Sequence, residues 1–132
     1  MLLVVKVGWD EAGHTERICR VLNRALEGRT YQVIEREKAF LRWCIRTRAE
    51  KEGSAVLFAV ALPKAGVSLS YVHLVSCLVR HSHCLAGCRG AVLVDGQGEF
   101  FTKKIGRELI FFANQAGCVF PGKPLVEATG SL

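Results

Sequence analysis

The turn that follows the first apolar segment carries the residues best suited to holding a phosphate. Residues 2–7 form a nearly unbroken apolar run, typical of a strand covered on both faces, and helical spacing of apolar residues begins after Thr15. Gly13, His14 and Thr15 lie between them, so strand, turn and helix direct backbone N–H groups at one point. Alternatively, Gly13 only permits the turn and Thr15 only caps the helix, and the local sequence leaves both interpretations open.

A second group of residues consists of soft metal ligands. Cys77, His81, Cys84 and Cys88 stand at i, i+4, i+7 and i+11, with His83 nearby. Ligands at i and i+4 of a helix can share a zinc or copper ion. Four residues along three helical turns cannot all reach one ion, and no Cys-x-x-Cys pair occurs elsewhere. We therefore expect a stripe of packed thiols with exposed histidines and no metal.

Nucleophilic hydrolysis has little support in the sequence. Ser68 and Ser70 lie near Pro63 and not in a Gly-x-Ser-x-Gly turn. No nucleophile and base form a recognisable triad, so hydrolase chemistry is not expected. Chemistry carried by a bound cofactor needs few acid or base residues from the protein.

The charge of the chain is +6, which raises the question of nucleic-acid binding. The basic residues are scattered, except for Arg42, Arg46 and Arg48 on one predicted helix. Helical spacing puts Arg42 and Arg46 on one face, where arginines usually form a solvated surface. No nucleic-acid motif is present, and we expect no nucleic-acid partner.

Length and composition indicate one globular domain spanning residues 1–132. The hydrophobic content of 50% is enough for a core, and no apolar run reaches the ~20 residues that cross a bilayer. The first residues lack the basic start and the length of a signal peptide. We expect a cytoplasmic protein without a membrane partner, in which the six cysteines are reduced and mostly packed.

Strands and helices alternate along the chain, which predicts an α/β fold with a parallel sheet. The predicted strands are residues 2–7, 31–37, 54–62 and 91–94, with a fifth extended segment from 118. The predicted helices are the segment after Thr15 to residue 26, then 39–51, 68–84 capped by Ser68 or Ser70, and 102–116. A loop at 95–101 follows the fourth strand.

Five strands with a phosphate-type turn after the first resemble the flavodoxin-like fold, a three-layer sandwich with strand order 2-1-3-4-5 and FMN at the carboxyl ends of the strands. The sequence Gly13-His14-Thr15 is similar to the Gly-x-Thr that opens the first helix in the NAD(P)H-dependent FMN reductase branch. Residues 90–96, Thr102, 116–118 and 121–122 resemble the fourth strand, loop, helix and fifth strand of that branch.

The resemblance implies a flavoprotein oxidoreductase that binds FMN and uses NAD(P)H as co-substrate. The cofactor-binding positions that it implies are Trp9, Gly13, His14, Thr15, Pro63, Lys64, Gly66, Ser68, Asp95, Gly96, Gly98 and Phe100.

The sequence departs from the family where a flavodoxin phosphate loop is rich in hydroxyls. Residues 9–12 here are Trp-Asp-Glu-Ala. A carboxylate ~4 Å from a phosphate costs about 1 kcal/mol even in water, which favours Asp10 and Glu11 pointing outward. The alternative function is a flavodoxin-like interaction domain that has lost the cofactor.

The end of the chain leads to a prediction about assembly. Flavodoxin-like domains usually finish with a helix after the fifth strand, whereas only residues 126–132 follow Pro124 here, too few for several turns. One apolar face of the sheet should then be partly bare, which predicts a homo-oligomer. Two alternatives are an irregular lid formed by 120–132 and a truncated form of a longer protein.

Overall fold

A five-stranded parallel sheet forms the centre of the molecule. The computed structural model describes residues 1–64, 68–96, 99–122 and 125–129. The spatial order of the strands is β2-β1-β3-β4-β5, and every pairing is parallel. The strands are β1 Leu2–Val7, β2 Gln32–Ile34, β3 Ala55–Ala61, β4 Arg89–Gly96 and β5 Leu125–Thr129. The predicted fold class and strand order are confirmed.

Helices cover both faces of this sheet. They are α1 Trp9–Ala12, α2 Glu16–Ala25, α3 Glu37–Cys44, α4 Arg48–Lys51, α5 Leu69–Arg80 and α6 Glu99–Gln115. Within the described parts of the chain, no helix has the length and apolar character needed to cross a membrane.

The larger core lies on the face covered by α3, α5 and α6. Alternate residues of β1, among them Leu3 and Val5, point to this face and pack with Phe58 of β3. Phe40 of α3 meets Phe58 edge to face, with ring centroids 6.3 Å apart. The segments predicted to be apolar on both faces, such as residues 2–7, therefore form central strands, because residues on both of their faces are removed from water.

The smaller core lies on the opposite face, beneath α1 and α2. Val4 of β1 and Ala59 of β3 pack there against Ile18 and Leu22 of α2. Leu57 of β3 is only partly buried on this face. The predicted position of the fifth strand, from residue 118, is wrong: β5 is Leu125–Thr129, and Val119 forms only an isolated bridge with Arg89. The prediction of a missing last helix depends on residues 126–132, of which 130–132 lie outside the described residues.

The prediction of one helix over 39–51 is wrong, because the chain forms two helices there. Helix α3 ends at Cys44, and Thr47 starts α4 with a capping box. The Glu50 amide donates to Thr47 Oγ1 at 3.3 Å, and the Glu50 carboxylate accepts from the Thr47 hydroxyl at 3.0 Å. Arg46 and Arg48 therefore leave the helix that carries Arg42.

Helix α5 ends at Arg80, earlier than the predicted boundary at residue 84. Cys84 and Cys88 consequently lie in and after a turn, and the expected stripe along one helix face is wrong. Among the residues that the structure describes, no three His, Cys, Asp or Glu side chains are grouped to hold a metal ion.

The remaining differences concern element ends. The turn at 8–15 contains the short helix α1, and β2 is limited to three residues. Strand β4 runs to Gly96 and α6 already begins at Glu99, so Thr102 is a buried residue inside that helix and not its start.

Candidate functional site

The carboxyl ends of β1, β3 and β4 meet at one edge of the sheet, where the predicted site residues lie. Gly8 ends β1 with φ 75°, a left-handed conformation that glycine adopts without strain. A Cβ at this position would lie 2.6 Å from the Ala61 carbonyl oxygen and 2.9 Å from Ser68 Oγ. Glycine therefore lets the turn after β1 contact the end of β3 directly.

Trp9 packs against the sheet at this edge. Its indole Nε1 donates to the Ala59 carbonyl oxygen at 2.9 Å, and its half-buried ring packs against the smaller core. The Lys6 ammonium lies 4.3 Å from the ring centroid and also 3.3 Å from Glu35 Oε1. The indole thus fixes α1 on the sheet.

Gly13, His14 and Thr15 join α1 to α2, as the sequence predicted for the turn. Gly13 adopts φ 79° with open space where a Cβ would be. Thr15 is the N-cap of α2, but its side chain makes no capping hydrogen bond. His14 is half-buried, and its Nε2 has no hydrogen-bond partner. The start of α2 therefore keeps unused polar groups.

Glu11 occupies the amino terminus of α5. Its carboxylate accepts hydrogen bonds from the Leu69 amide at 2.8 Å, the Ser70 amide at 2.9 Å and Ser68 Oγ at 3.1 Å. The bonds to Ser70, with those to Leu69 and Ser68, lower the pKa of Glu11 from its usual range to about 2. Glu11 and Asp10 are both exposed, as expected, and the Glu11 carboxylate is directed to the start of α5.

Arg17 joins α2 to the end of β4. Its guanidinium forms an ion pair with Asp95 and donates to the Gly96 carbonyl oxygen at 3.1 Å. Asp95 is only 2% exposed, and its Oδ2 has no hydrogen-bond partner. The buried carboxylate is therefore neutralised by Arg17 at Oδ1, while Oδ2 is buried without a hydrogen bond.

The structure places the other predicted positions around the same edge. Ser68 is the N-cap of α5 and accepts from the Tyr71 amide at 3.2 Å. Pro63 is half-buried and Lys64 exposed. A Cβ at Gly96 would lie 2.5 Å from Thr102 Cγ2, so glycine permits close packing of α6 there. Gly66, Gly98 and the side chain of Phe100 lie outside the described part of the chain.

A polar cleft of about 240 Å³ runs alongside these residues. It lies between the end of β1 and the residues that follow β2, and α1 and α5 complete its lining. Its lining residues are Lys6, Gly8, Trp9, Asp10, Glu35, Arg36 and Ser70.

Sequence analysis missed the two residues that tie the turns together, Glu11 and Arg17. Both belong to the segment predicted as important, but Glu11 bonds to residues 57 to 59 positions away and Arg17 to a residue 78 away. No local pattern signals such contacts. The sequence shows Glu11, Ser68 and Ser70 only as separate residues, with no indication that they contact one another.

All six cysteines are free thiols, and only Cys19, in the first turn of α2, lies at this edge. Cys19 is exposed and the others are buried. Burial raises the pKa of the Cys118 thiol to about 12 and also raises that of Cys88. These thiols are packing residues of the larger core.

Comparison with known proteins supports this fold. No protein-family model and no curated protein sequence matches the chain. The chain is similar to a solved structure described as the flavodoxin, WrbA-like protein from Agrobacterium tumefaciens. The two are 15% identical, the TM-score is 0.58, and the match covers 96% of this chain and 82% of that one. The protein has a flavodoxin-like fold.

Proposed function

We propose that the protein binds FMN at the carboxyl edge of its sheet and acts as an NAD(P)H-dependent flavin oxidoreductase. The flavodoxin-like fold supports flavin binding, because ligands of doubly wound sheets bind at this edge. The six free thiols support the further proposal that the protein works in the cytoplasm.

The observation that carries the proposal is the uncapped start of α2. The first N–H groups of a helix have no partner within the helix. Here the Thr15 side chain does not cap them, and His14 Nε2 is also unpartnered. The positive helix end favours an anion at this point. The residues present therefore fit the phosphate of FMN.

Each residue at this edge then has a role. Gly13, His14 and Thr15 hold the phosphate through backbone and side-chain donors. Bound flavin supplies the hydride and electron chemistry. The proposal assigns the ring to the segments 63–68 and 95–101, of which residues 65–67 and 97–98 lie outside the described part of the chain.

A second candidate function is a cofactor-free interaction domain, and Glu11 is the observation that favours it. A carboxylate of the chain itself already satisfies the amino terminus of α5. Arg17 likewise bridges the end of β4 to α2. Both contacts stabilise the edge of the sheet without a cofactor. An interaction domain of this fold would need such stabilisation.

Titration with FMN separates the two functions. Flavin binding predicts quenching of FMN fluorescence and a shifted visible spectrum at saturation. Thr15→Val should weaken binding by about tenfold, the loss of one hydrogen bond to a charged group, whereas Thr30→Val, an exposed position outside the site, should not. NAD(P)H should bleach the bound flavin without oxygen. If saturating FMN leaves its fluorescence unchanged, the interaction domain is the better proposal.

A further inference from the structure

We propose that the protein has a second binding site, for a small phosphate-type anion with two or more negative charges, at the opposite edge of the sheet. A cavity of about 410 Å³ lies where α3 and α5 end. The break between α3 and α4 and the turn after α5 complete its walls. This site is independent of the proposed flavin site, because helices α3 and α5 run away from the carboxyl edge.

The lining of this cavity is strongly basic. Six of its ten lining residues carry basic side chains and none is acidic. The basic residues are Arg46, Arg48, Lys51, Arg80, His81 and His83. They come from two chain segments, 46–51 and 80–83, so charges distant in sequence converge on one volume.

The arginines of the cavity have no carboxylate partner among the described residues. The ion pairs among the described residues join Lys6 to Glu35, Arg17 to Asp95 and His73 to Glu37, and none includes a cavity arginine. Glu50 is close in sequence, but its carboxylate is engaged with Thr47 and does not line the cavity. Arg46, Arg48 and Arg80 therefore keep their guanidinium donors for another molecule.

Lys51 places a buried cation at the same cavity. It is 3% exposed, and its ammonium donates to the carbonyl oxygens of Cys44 at 2.7 Å and Cys84 at 2.5 Å. It also lies 5.3 Å from the Trp43 ring centroid. These partners are neutral, so the charge is held in place but not neutralised. A buried cation without a counter-charge is unfavourable unless an anion binds nearby.

The ends of α3 and α5 oppose this positive charge only in part. A helix carboxyl terminus carries about half an elementary negative charge. The two ends together offset roughly one of the four formal charges from Arg46, Arg48, Lys51 and Arg80. The field in the cavity remains positive.

Lys51 also acts on the neighbouring thiol of Cys84. The pKa of Cys84 is lowered mainly by its interaction with Cys44 and further by the Lys51 charge, although burial opposes this. The Lys51 charge would likewise attract a compact anion that bridges the arginines.

The four histidines of the chain offer a test by NMR titration with pyrophosphate. His81 and His83 line the cavity, whereas His73 does not and His14 lies at the start of α2. We expect the imidazole resonances of His81 and His83 to shift with one saturable curve. A shift confined to His14 would place the anion at the flavin edge and overturn the proposal, as would equal shifts at all four.

Paired variants give a second, independent measurement by calorimetric titration with pyrophosphate. The double variant Arg48→Gln with Arg80→Gln removes two cavity cations and should weaken binding at least tenfold. The control, Arg20→Gln with Arg42→Gln, removes two exposed arginines outside the cavity and should change affinity less than twofold. Equal weakening in both proteins would mean non-specific attraction to net charge and would refute the site.

Discussion

Arg17 and Asp95 form an ion pair that joins the first turn of α2 to the end of β4. Asp95 is almost completely buried, while about a third of the Arg17 side chain is exposed. The arginine therefore neutralises an interior carboxylate from the surface. This contact stabilises the edge of the sheet where the flavin site is proposed.

Arg17→Gln should destabilise the protein by about 2 kcal/mol, because it leaves the Asp95 carboxylate buried without a cation. Chemical denaturation followed by circular dichroism measures the change. Arg20→Gln, on the same helix and exposed, should stay within about 0.5 kcal/mol of the unsubstituted protein. Combining Arg17→Gln with Asp95→Asn should recover part of the loss. If the loss of stability in the double variant equals the sum of the losses in the two single variants, the ion pair contributes little to stability.

Glu11→Gln should lower stability at neutral pH by about 1 kcal/mol, since a charged cap at a helix amino terminus is lost. The pKa of Glu11 is about 2 in the folded protein, below its usual value of 4.5. Its contribution is complete above pH 4.5 and is lost as pH falls from there to about 2. The stability difference between the two proteins should therefore shrink over this interval. Asp10→Asn, at the exposed neighbouring position, should change stability by less than about 0.5 kcal/mol at neutral pH.

Gly8→Ala and Gly13→Ala form a matched pair of substitutions in one turn. Both glycines have φ between 75° and 79°, so alanine is strained at either position by about 1 to 2 kcal/mol. Only at Gly8 would the new Cβ also overlap the Ala61 carbonyl oxygen, at 2.6 Å. Thermal unfolding should show a clearly larger loss for Gly8→Ala. Equal losses would mean that the close contact with β3 is absent.

Thiol titration should distinguish Cys19 from the other cysteines. Cys19 is the exposed one of the six free thiols and the other five are buried. A thiol reagent should modify one thiol rapidly in the native protein and five more only after unfolding. Cys19→Ser should abolish the rapid phase. A rapid phase of two or more thiols would mean that the larger core opens readily.

Self-association remains a prediction, and we propose a homo-oligomer that buries the smaller-core face of the sheet. Leu57 is partly exposed on this face, where α1 and α2 are the described helices. Leu57→Lys should dissociate such an oligomer, whereas Leu41→Lys, at an exposed position of α3, should not. Light scattering measures both. A monomer of 14.5 kDa in the unsubstituted protein would contradict the proposal.

The strands of this protein were predictable because central parallel strands require apolar residues on both faces, and residues 2–7 and 55–61 satisfy that requirement locally. The break at Thr47 was also visible in principle, since Thr47 and Glu50 have the spacing of a capping box. The contacts of Glu11 and Arg17 were not predictable. They depend on how distant turns meet after folding, and a charged residue in a turn gives no indication of its partner.

The strand order has a consequence for synthesis on the ribosome. β1 pairs along its whole length with β3, from Leu2 opposite Ala55 to Val7 opposite Val60, but with only three residues of β2. At typical translation rates of ~5–20 residues per second, β3 emerges roughly 2 to 10 s after β1. During that interval the apolar strand β1 has left the ribosome but cannot yet pair with β3, its main neighbour in the sheet. The nascent chain therefore leaves β1 open to non-native contacts until residue 61 has left the exit tunnel.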